Sequence, residues 1–184
     1  MGTFVAPNNS LIAVSDPKAM VLLVSRSSSN YTYRILRPSS GSATVYVFSP
    51  LTTSSTNVGI QVFNDSGALV FDSGFKYLKV IDLLNNPNLG PAAGGTGSGT
   101  TRSYAGIGEL AVIHSSPFFY GVDDSFQSNL RFYTEYSSVI SMTSNTINFF
   151  AETAFMVEYQ STYPLYPTVA GGIPQFMVVD VTGY

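Results

Sequence analysis

Few residues in this chain are of a type that does chemistry, and their spacing decides how each is read. His114 is the single histidine in 184 residues. It follows the apolar run 110–113, with Ser115 and Ser116 beside it. A nucleophilic triad needs an imidazole held in space between a hydroxyl and a carboxylate. Adjacency in sequence fixes no such geometry, so His114 reads as a strand-end histidine. Asp123 and Asp124 could give a calcium ligand or one arm of a glycosidase pair. A calcium cage needs several oxygen donors at set spacing, and Ser125, Gln127 and Ser128 do not match it. Glycoside hydrolysis needs two carboxyls at a fixed separation, which any chain with eleven acids meets on paper. The Asp123–Asp124 pair therefore reads as a solvated loop, and a depolymerase built on Asp123, Asp124 and Glu135 is the one enzymatic reading left. The glycine-rich stretch 94–100 lacks the lysine and the strand–loop–helix setting of a phosphate loop, and Arg102 lies too far along to replace that lysine. The sequence assigns no catalytic residue, no metal site and no cofactor.

Composition points the same way. Charged residues make up 10% of the chain, against about 25% in ordinary soluble domains. A net charge of −3 gives weak self-repulsion and leaves much of the surface neutral enough to be covered by another subunit. The eight Lys and Arg residues, Lys18, Arg26, Arg34, Arg37, Lys76, Lys79, Arg102 and Arg131, are scattered, whereas a phosphate backbone needs a concentrated basic face. Nucleic acid is not an expected partner. The absence of cysteine removes disulfides and thiolate metal sites and agrees with synthesis in a reducing cytoplasm. Residues 1–10 lack the basic start and apolar centre of a secretory signal. With Ala6 where a Ser or Thr is required, they also make no myristoylation signal. The longest apolar run, 19–24, is far short of the roughly 20 residues that span a bilayer, so no membrane insertion is expected.

These residues sit on short runs of Val, Ile, Phe, Tyr and Thr separated by Pro, Gly, Asn and Ser clusters, the pattern of an all-β antiparallel β-sandwich. Strands are expected at 11–14, 20–25, 31–36, 44–48, 77–83, 108–113, 118–122, 129–136, 139–142, 145–150, 155–159 and 175–181. No 3.6-residue period persists long enough for a helix. The segment 85–101 cannot build a core of its own and is expected to form a long glycine-rich mobile loop. A boundary near Asn57 divides the chain into an N-terminal β-rich extension or added layer, 1–57, and a main sandwich domain, 58–184. Several strands, among them 60–63, 69–71 and 77–83, carry apolar groups on both faces. Such strands are usually covered on both sides, by a second sheet and a loop or by a neighbouring subunit.

The clearest local signal is the run 59–73. Asn64 and Asp65 can bond nearby backbone through their side chains, and Gly67 can take the positive φ that closes a four-residue hairpin loop. Gly59, Asn64, Gly67 and Asp72 are the expected structural residues of that hairpin. The chain holds 13 Phe and 12 Tyr, most of which suit a pleated surface. Tyr163, Leu165 and Tyr166, braced by Pro164 and Pro167, form a rigid loop that can anchor a partner or stack on a sugar.

Gly59-Ile60-Gln61-Val62-Phe63-Asn64, the turn glycine Gly67, the closing Phe71-Asp72-Ser73 and the following Tyr77-Leu78-Lys79-Val80 resemble a family of small tail-associated virion proteins of tailed bacteriophages and prophages. In that family the hairpin lies close to the N-terminus, whereas here residues 1–57 precede it. The resemblance carries no catalytic residues. It implies a structural component of a bacteriophage virion, at the tail tip or tail fibres. Such a component would be present in multiple copies, contact copies of itself and other tail proteins, and be made in the host bacterial cytoplasm. Two further expectations stand beside it: a module that binds a bacterial surface glycan through the 163–167 loop, and a capsid decoration, head-fibre or neck protein.

Overall fold

A computed structural model describes residues 2–15, 20–36, 43–49, 58–89, 99–116, 119–126, 130–143, 145–160 and 169–184. For 20, 22–24, 36, 119–126, 130–137, 139, 152–160 and 169–171 the description covers backbone only. Among these residues there are fifteen strands and no helix. In chain order they are β1 (Gly2–Pro7), β2 (Leu11–Ser15), β3 (Met20–Arg26), β4 (Asn30–Leu36), β5 (Thr44–Phe48), β6 (Gln61–Phe63), β7 (Leu69–Asp72), β8 (Lys79–Asn85), β9 (Thr100–Ser103), β10 (Leu110–Ser116), β11 (Phe119–Phe126), β12 (Leu130–Thr143), β13 (Thr146–Gln160), β14 (Val169–Gly171) and β15 (Gln175–Asp180). All pairings are antiparallel. The expected all-β antiparallel class is therefore the observed one.

The strands form four sheets. A five-stranded central sheet has the order β5-β2-β10-β15-β8. A second five-stranded sheet runs β14-β11-β12-β13-β9, a three-stranded sheet runs β1-β4-β3, and β6-β7 form a two-stranded sheet of their own. The boundary expected near Asn57 lies outside the described residues. Strands from both sides of it share the central sheet, where Val14 and Ala13 of β2 face Val112 and Ile113 of β10.

Alternation along β2, β10 and β15 builds two cores on the two faces of the central sheet, because successive strand residues point to opposite sides. One face carries Ile12, Val14, Leu110, Val112, Phe176 and Val178. It packs in a single cluster with Ala6, Val21 and Tyr33 of the three-stranded sheet and Ile140, Ile147 and Phe149 of the second five-stranded sheet. Phe149 and Phe176 meet there with ring centroids 4.8 Å apart. Each fully buried side chain of this size stabilises the fold by about 1.5–3 kcal/mol. The other face carries Ala13, Ala111, Ile113, Val179 and Val181, with Tyr46, Phe48, Leu78, Met177 and Tyr184 packed against them. The inner strands β2, β10 and β15 of the central sheet are thus covered on both faces by their own chain.

Several sequence expectations are corrected by the pairing. Asp123 and Asp124 do not form a loop: they lie within β11, opposite Tyr133 and Phe132 of β12. The four strands expected across 129–159 are two long ones, β12 and β13, paired end to end with one register shift beside Glu135. Residues 137–138, left between two expected strands, continue β12, and Ser138 is fully buried in the ladder. Of the stretch 85–101 both ends belong to the fold, and residues 90–98 of the expected loop lie outside the described residues. Asn85 ends β8, Leu89 is buried in the main core, and its carbonyl accepts the Ala151 N–H at 3.0 Å. Thr100 starts β9, donating its N–H to the Asn88 carbonyl at 2.7 Å. Strands β1, β9 and β14 were not expected. Each is an edge strand, and β9 and β14 are also too short to show a period.

Candidate functional site

The β6–β7 hairpin is built almost entirely from local hydrogen bonds. Asn64 closes the loop: its N–H donates to the Ala68 carbonyl and its own carbonyl accepts from Gly67 N–H, both at 2.9 Å. The Asn64 Oδ1 atom also accepts from the Ser66 and Ala68 N–H groups at 3.1 and 2.8 Å. Gly67 sits at φ +78°, a conformation that glycine adopts without steric cost. At the base, Ser73 N–H donates to the Ile60 carbonyl at 2.9 Å, and Ile60 N–H donates to Ser73 Oγ at 2.8 Å. Gly59 takes φ +133°, and a Cβ there would fall 2.2 Å from Ser73 Oγ.

Asp72 is fully buried. Its carboxylate accepts from Gln61 Nε2 at 3.0 Å and from Gly74 N–H at 2.8 Å, so the charge is solvated by the turn it ends. The Tyr77 hydroxyl accepts the Asp72 N–H and donates to the Asp72 carbonyl at 2.7 Å. The Tyr77 ring stacks on Phe71 with centroids 5.1 Å apart and planes 7° from parallel. A two-stranded hairpin is marginal alone in water, and this bracing fixes its outgoing strand.

The hairpin presents several large apolar side chains to solvent. Ile60 is 68% exposed and Phe63 54%, and Val62, Val70 and Phe71 are exposed as well. Among the described strands, β6 and β7 pair only with each other. On the nearby edge strand β8, Val80 and Leu83 are exposed too. Strands with two apolar faces therefore divide into a covered central set and an uncovered set on the hairpin and β8.

The base of the hairpin continues into the second face of the central sheet. Residues 181–184 turn back on themselves, with Tyr184 N–H donating to the Val181 carbonyl at 3.1 Å and Gly183 at φ +80°. This places the Tyr184 ring edge-on to Phe48 at 5.5 Å and to Tyr46 at 6.3 Å. The Tyr184 hydroxyl donates to the Tyr77 carbonyl. Lys76 donates from Nζ to the Gly183 carbonyl and lies 5.5 Å above the Tyr184 ring. Burial, helped by the charge of Asp180, holds the Tyr184 phenol above its ordinary pKa.

Other polar pairs tie strands together. Tyr46 donates to Glu109 at 2.5 Å, and burial together with that bond pushes its pKa up to about 12. Tyr104 donates to Asp82 at 2.7 Å and is raised by the same two causes. Each joins a neutral phenol to a carboxylate, which suits a structural clasp rather than proton transfer near neutral pH.

Gly59, Asn64, Gly67 and Asp72 come together in one hairpin. Tyr163, Leu165 and Tyr166 lie outside the described residues. His114 stands within β10 beside its register shift, its ring 5.2 Å from Phe176. Glu135 lies in β12 opposite Gly121 and Phe155. Among the described residues no three His, Cys, Asp or Glu side chains gather as a metal would need. Sequence reading missed Gln61, Ser73, Lys76 and Tyr184. Gln61 faces Asp72 across the hairpin and Ser73 bonds Ile60, so both could have been found from the register that the turn imposes. The contacts of Lys76 and Tyr184 span 107 residues, and no local pattern signals them.

Fold and site define an all-β antiparallel protein with a β6–β7 hairpin of exposed apolar side chains, tied by Tyr77 and Tyr184 to its central sheet. No protein-family model, curated protein or solved structure matches the chain.

Proposed function

We propose that this chain is a non-enzymatic structural component of a bacteriophage virion, at the tail tip or tail fibres, assembling there in multiple copies. The observation that carries the assembly role is the row of exposed apolar side chains on the β6–β7 hairpin, Ile60, Val62, Phe63, Val70 and Phe71. The virion setting rests on the resemblance of residues 59–80 to tail-associated proteins. Magnitudes favour an ordered assembly over a simple pair. Covering five half-exposed side chains of this class yields on the order of 5 kcal/mol, comparable with the roughly 4–15 kcal/mol cost of joining two free chains. Hairpin contacts alone thus give weak association. Neighbours held at high local concentration on a symmetric tail supply what is lacking.

Mass spectrometry of purified virions tests the proposal directly. The chain is expected in intact particles, in several copies alongside tail proteins. Its absence from intact particles overturns the proposal.

A further inference from the structure

We propose that β1 is an exchanged strand: where copies of this chain are held side by side, β1 of one copy leaves the β4 of its own chain and pairs with β4 of a second copy.

The slot for β1 carries this inference. β1 pairs with β4 at six consecutive positions, from Gly2 opposite Ile35 to Pro7 opposite Asn30, with no shift in register. Phe4 stacks on Tyr33 with ring centroids 5.3 Å apart and planes 14° from parallel, and Ala6 is buried in the main core. A second copy brings a strand of the same sequence. It meets β4 with the same ladder, the same ring stack and the same buried methyl group, so its fit is the one the structure already displays.

Exchange needs one hinge, and the turn from β1 to β2 supplies it. The reversal is tight, with Ser10 N–H donating to the Pro7 carbonyl at 3.3 Å. On one side Asn8 is bonded to the β3–β4 turn, its N–H donating to the Ser29 carbonyl at 3.1 Å and its side-chain amide to the Ser28 carbonyl. On the other side Ser10 is buried. Its hydroxyl lies 2.8 Å from that of Ser49, and its carbonyl accepts from the Tyr33 hydroxyl at 3.2 Å. Asn9 is the residue between these two anchors. It is exposed and sits at φ +62°, a left-handed conformation that is unfavourable for a residue with a Cβ. An extended Asn9 loses that strain and no longer turns β1 back onto its own β4. Short strained hinges of this kind favour strand exchange between copies.

The closed and exchanged forms share the contacts of β1, so two opposing effects decide between them. Strain at Asn9 disfavours the closed form, and the lost freedom of two joined chains disfavours the exchanged one. The second effect wins in dilute solution and shrinks where copies sit at high local concentration. That concentration rests on the assembly proposed above, whereas the fit of the strand does not.

Cysteine pairing tests the exchange, because the chain has no cysteine of its own. Val5 and Thr32 stand directly opposite each other on β1 and β4, at a spacing that a disulfide bridges. In dilute solution the full-length double variant Val5→Cys, Thr32→Cys is expected to close its bond within one chain, which verifies folding and register. Full-length Val5→Cys and Thr32→Cys chains are then unfolded, mixed in equal amounts, refolded at high concentration and oxidised, because a paired strand leaves its slot slowly without refolding. Mass spectrometry of the linked peptides reads the outcome. Random encounters join position 5 to position 32 only twice as often as they join two copies of position 5. Exchange is expected to raise that ratio to about tenfold, since it holds the two cysteines together at high effective concentration. A ratio no higher than two overturns the proposal. If the double variant does not close its bond, Thr3→Cys and Arg34→Cys, also directly opposite, take its place throughout; failure to close there too overturns the proposal. Linkage is read on the purified chain and virion composition on particles, so the two proposals fail separately.

Discussion

Tyr46 and Glu109 are joined by a 2.5 Å hydrogen bond that ties β5, at the edge of the central sheet, to the residue that leads into β10. The phenol stays neutral because burial and the carboxylate both penalise its ionised form, raising its pKa to about 12. A pKa raised in the folded state contributes stability that is complete below the unfolded value near 10. That stability is lost as pH rises through the folded value. Thermal midpoints measured between pH 9 and pH 12 are expected to fall across that interval. In Tyr46→Phe the decline is expected to be shallower; an identical slope would mean that the bond does not couple to folding.

Asp180 gives the opposite sign. Its carboxyl is held below its ordinary value first by the Thr182 hydroxyl, then by the Thr182 backbone N–H and by Lys79, against a small opposing effect of burial. The Thr182 N–H bond measures 2.8 Å, and the Lys79 ammonium lies 3.8 Å away at an exposed position. A lowered carboxyl contributes stability present above the unfolded pKa near 3.9 and lost as pH falls through the folded one. Exposure keeps the effect small. Wild type is expected to lose stability more steeply than Asp180→Asn below pH 4. Because this carboxylate also shapes the turn that delivers Tyr184, the variant is further expected to loosen residues 181–184 in hydrogen exchange at neutral pH.

Gly99 shows where composition misleads. A Cβ at this position would fall 1.7 Å from the Phe149 carbonyl oxygen and 2.7 Å from its carbon, and Phe149 is fully buried. The neighbour is backbone in a paired strand, so it cannot swing aside. Gly99→Ala is expected to cost about 1–3 kcal/mol, in the range of overpacked interiors. It should lower the urea midpoint with little change in slope. Gly67→Ala is a useful contrast, because it has open space around the added carbon and is strained only through its φ of +78°. A midpoint unchanged in Gly99→Ala would show that β9 does not hold this approach in solution.

The same residue explains much of what the sequence could and could not convey. Glycines in a row signal a chain without a core of its own, which is a statement about local composition, while Gly99 is needed because another strand passes close to it. Asp123-Asp124 was misread, and 137–138 was left out of a strand, for a related reason. Hydroxyls and carboxylates favour turns locally, but long ladders carry them because neighbouring strands supply the backbone pairing. Where local preference and tertiary pairing agree, as at Thr44–Phe48, the strand was legible to the residue. The hairpin loop was legible because all its bonds lie within a few residues. Its brace was not, since Tyr184 reaches Tyr77 only through the fold.

The last prediction separates a sticky surface from a structural one. Ile60 and Phe63 are largely exposed and lie outside both core clusters, so replacing both with Ser removes little buried area. Losing their cross-strand contacts costs about 0.2–1 kcal/mol each, and the global unfolding midpoint is expected to shift only slightly. If the hairpin is the contact that copies use, the wild type is expected to self-associate with rising concentration in sedimentation velocity, and the Ile60→Ser, Phe63→Ser chain to lose that association. That association should persist in Val5→Ser, which alters another exposed apolar side chain on a different sheet. Equal loss in both would point to general surface apolarity, because a specific interface depends on position, whereas nonspecific adhesion depends only on how much apolar area remains uncovered.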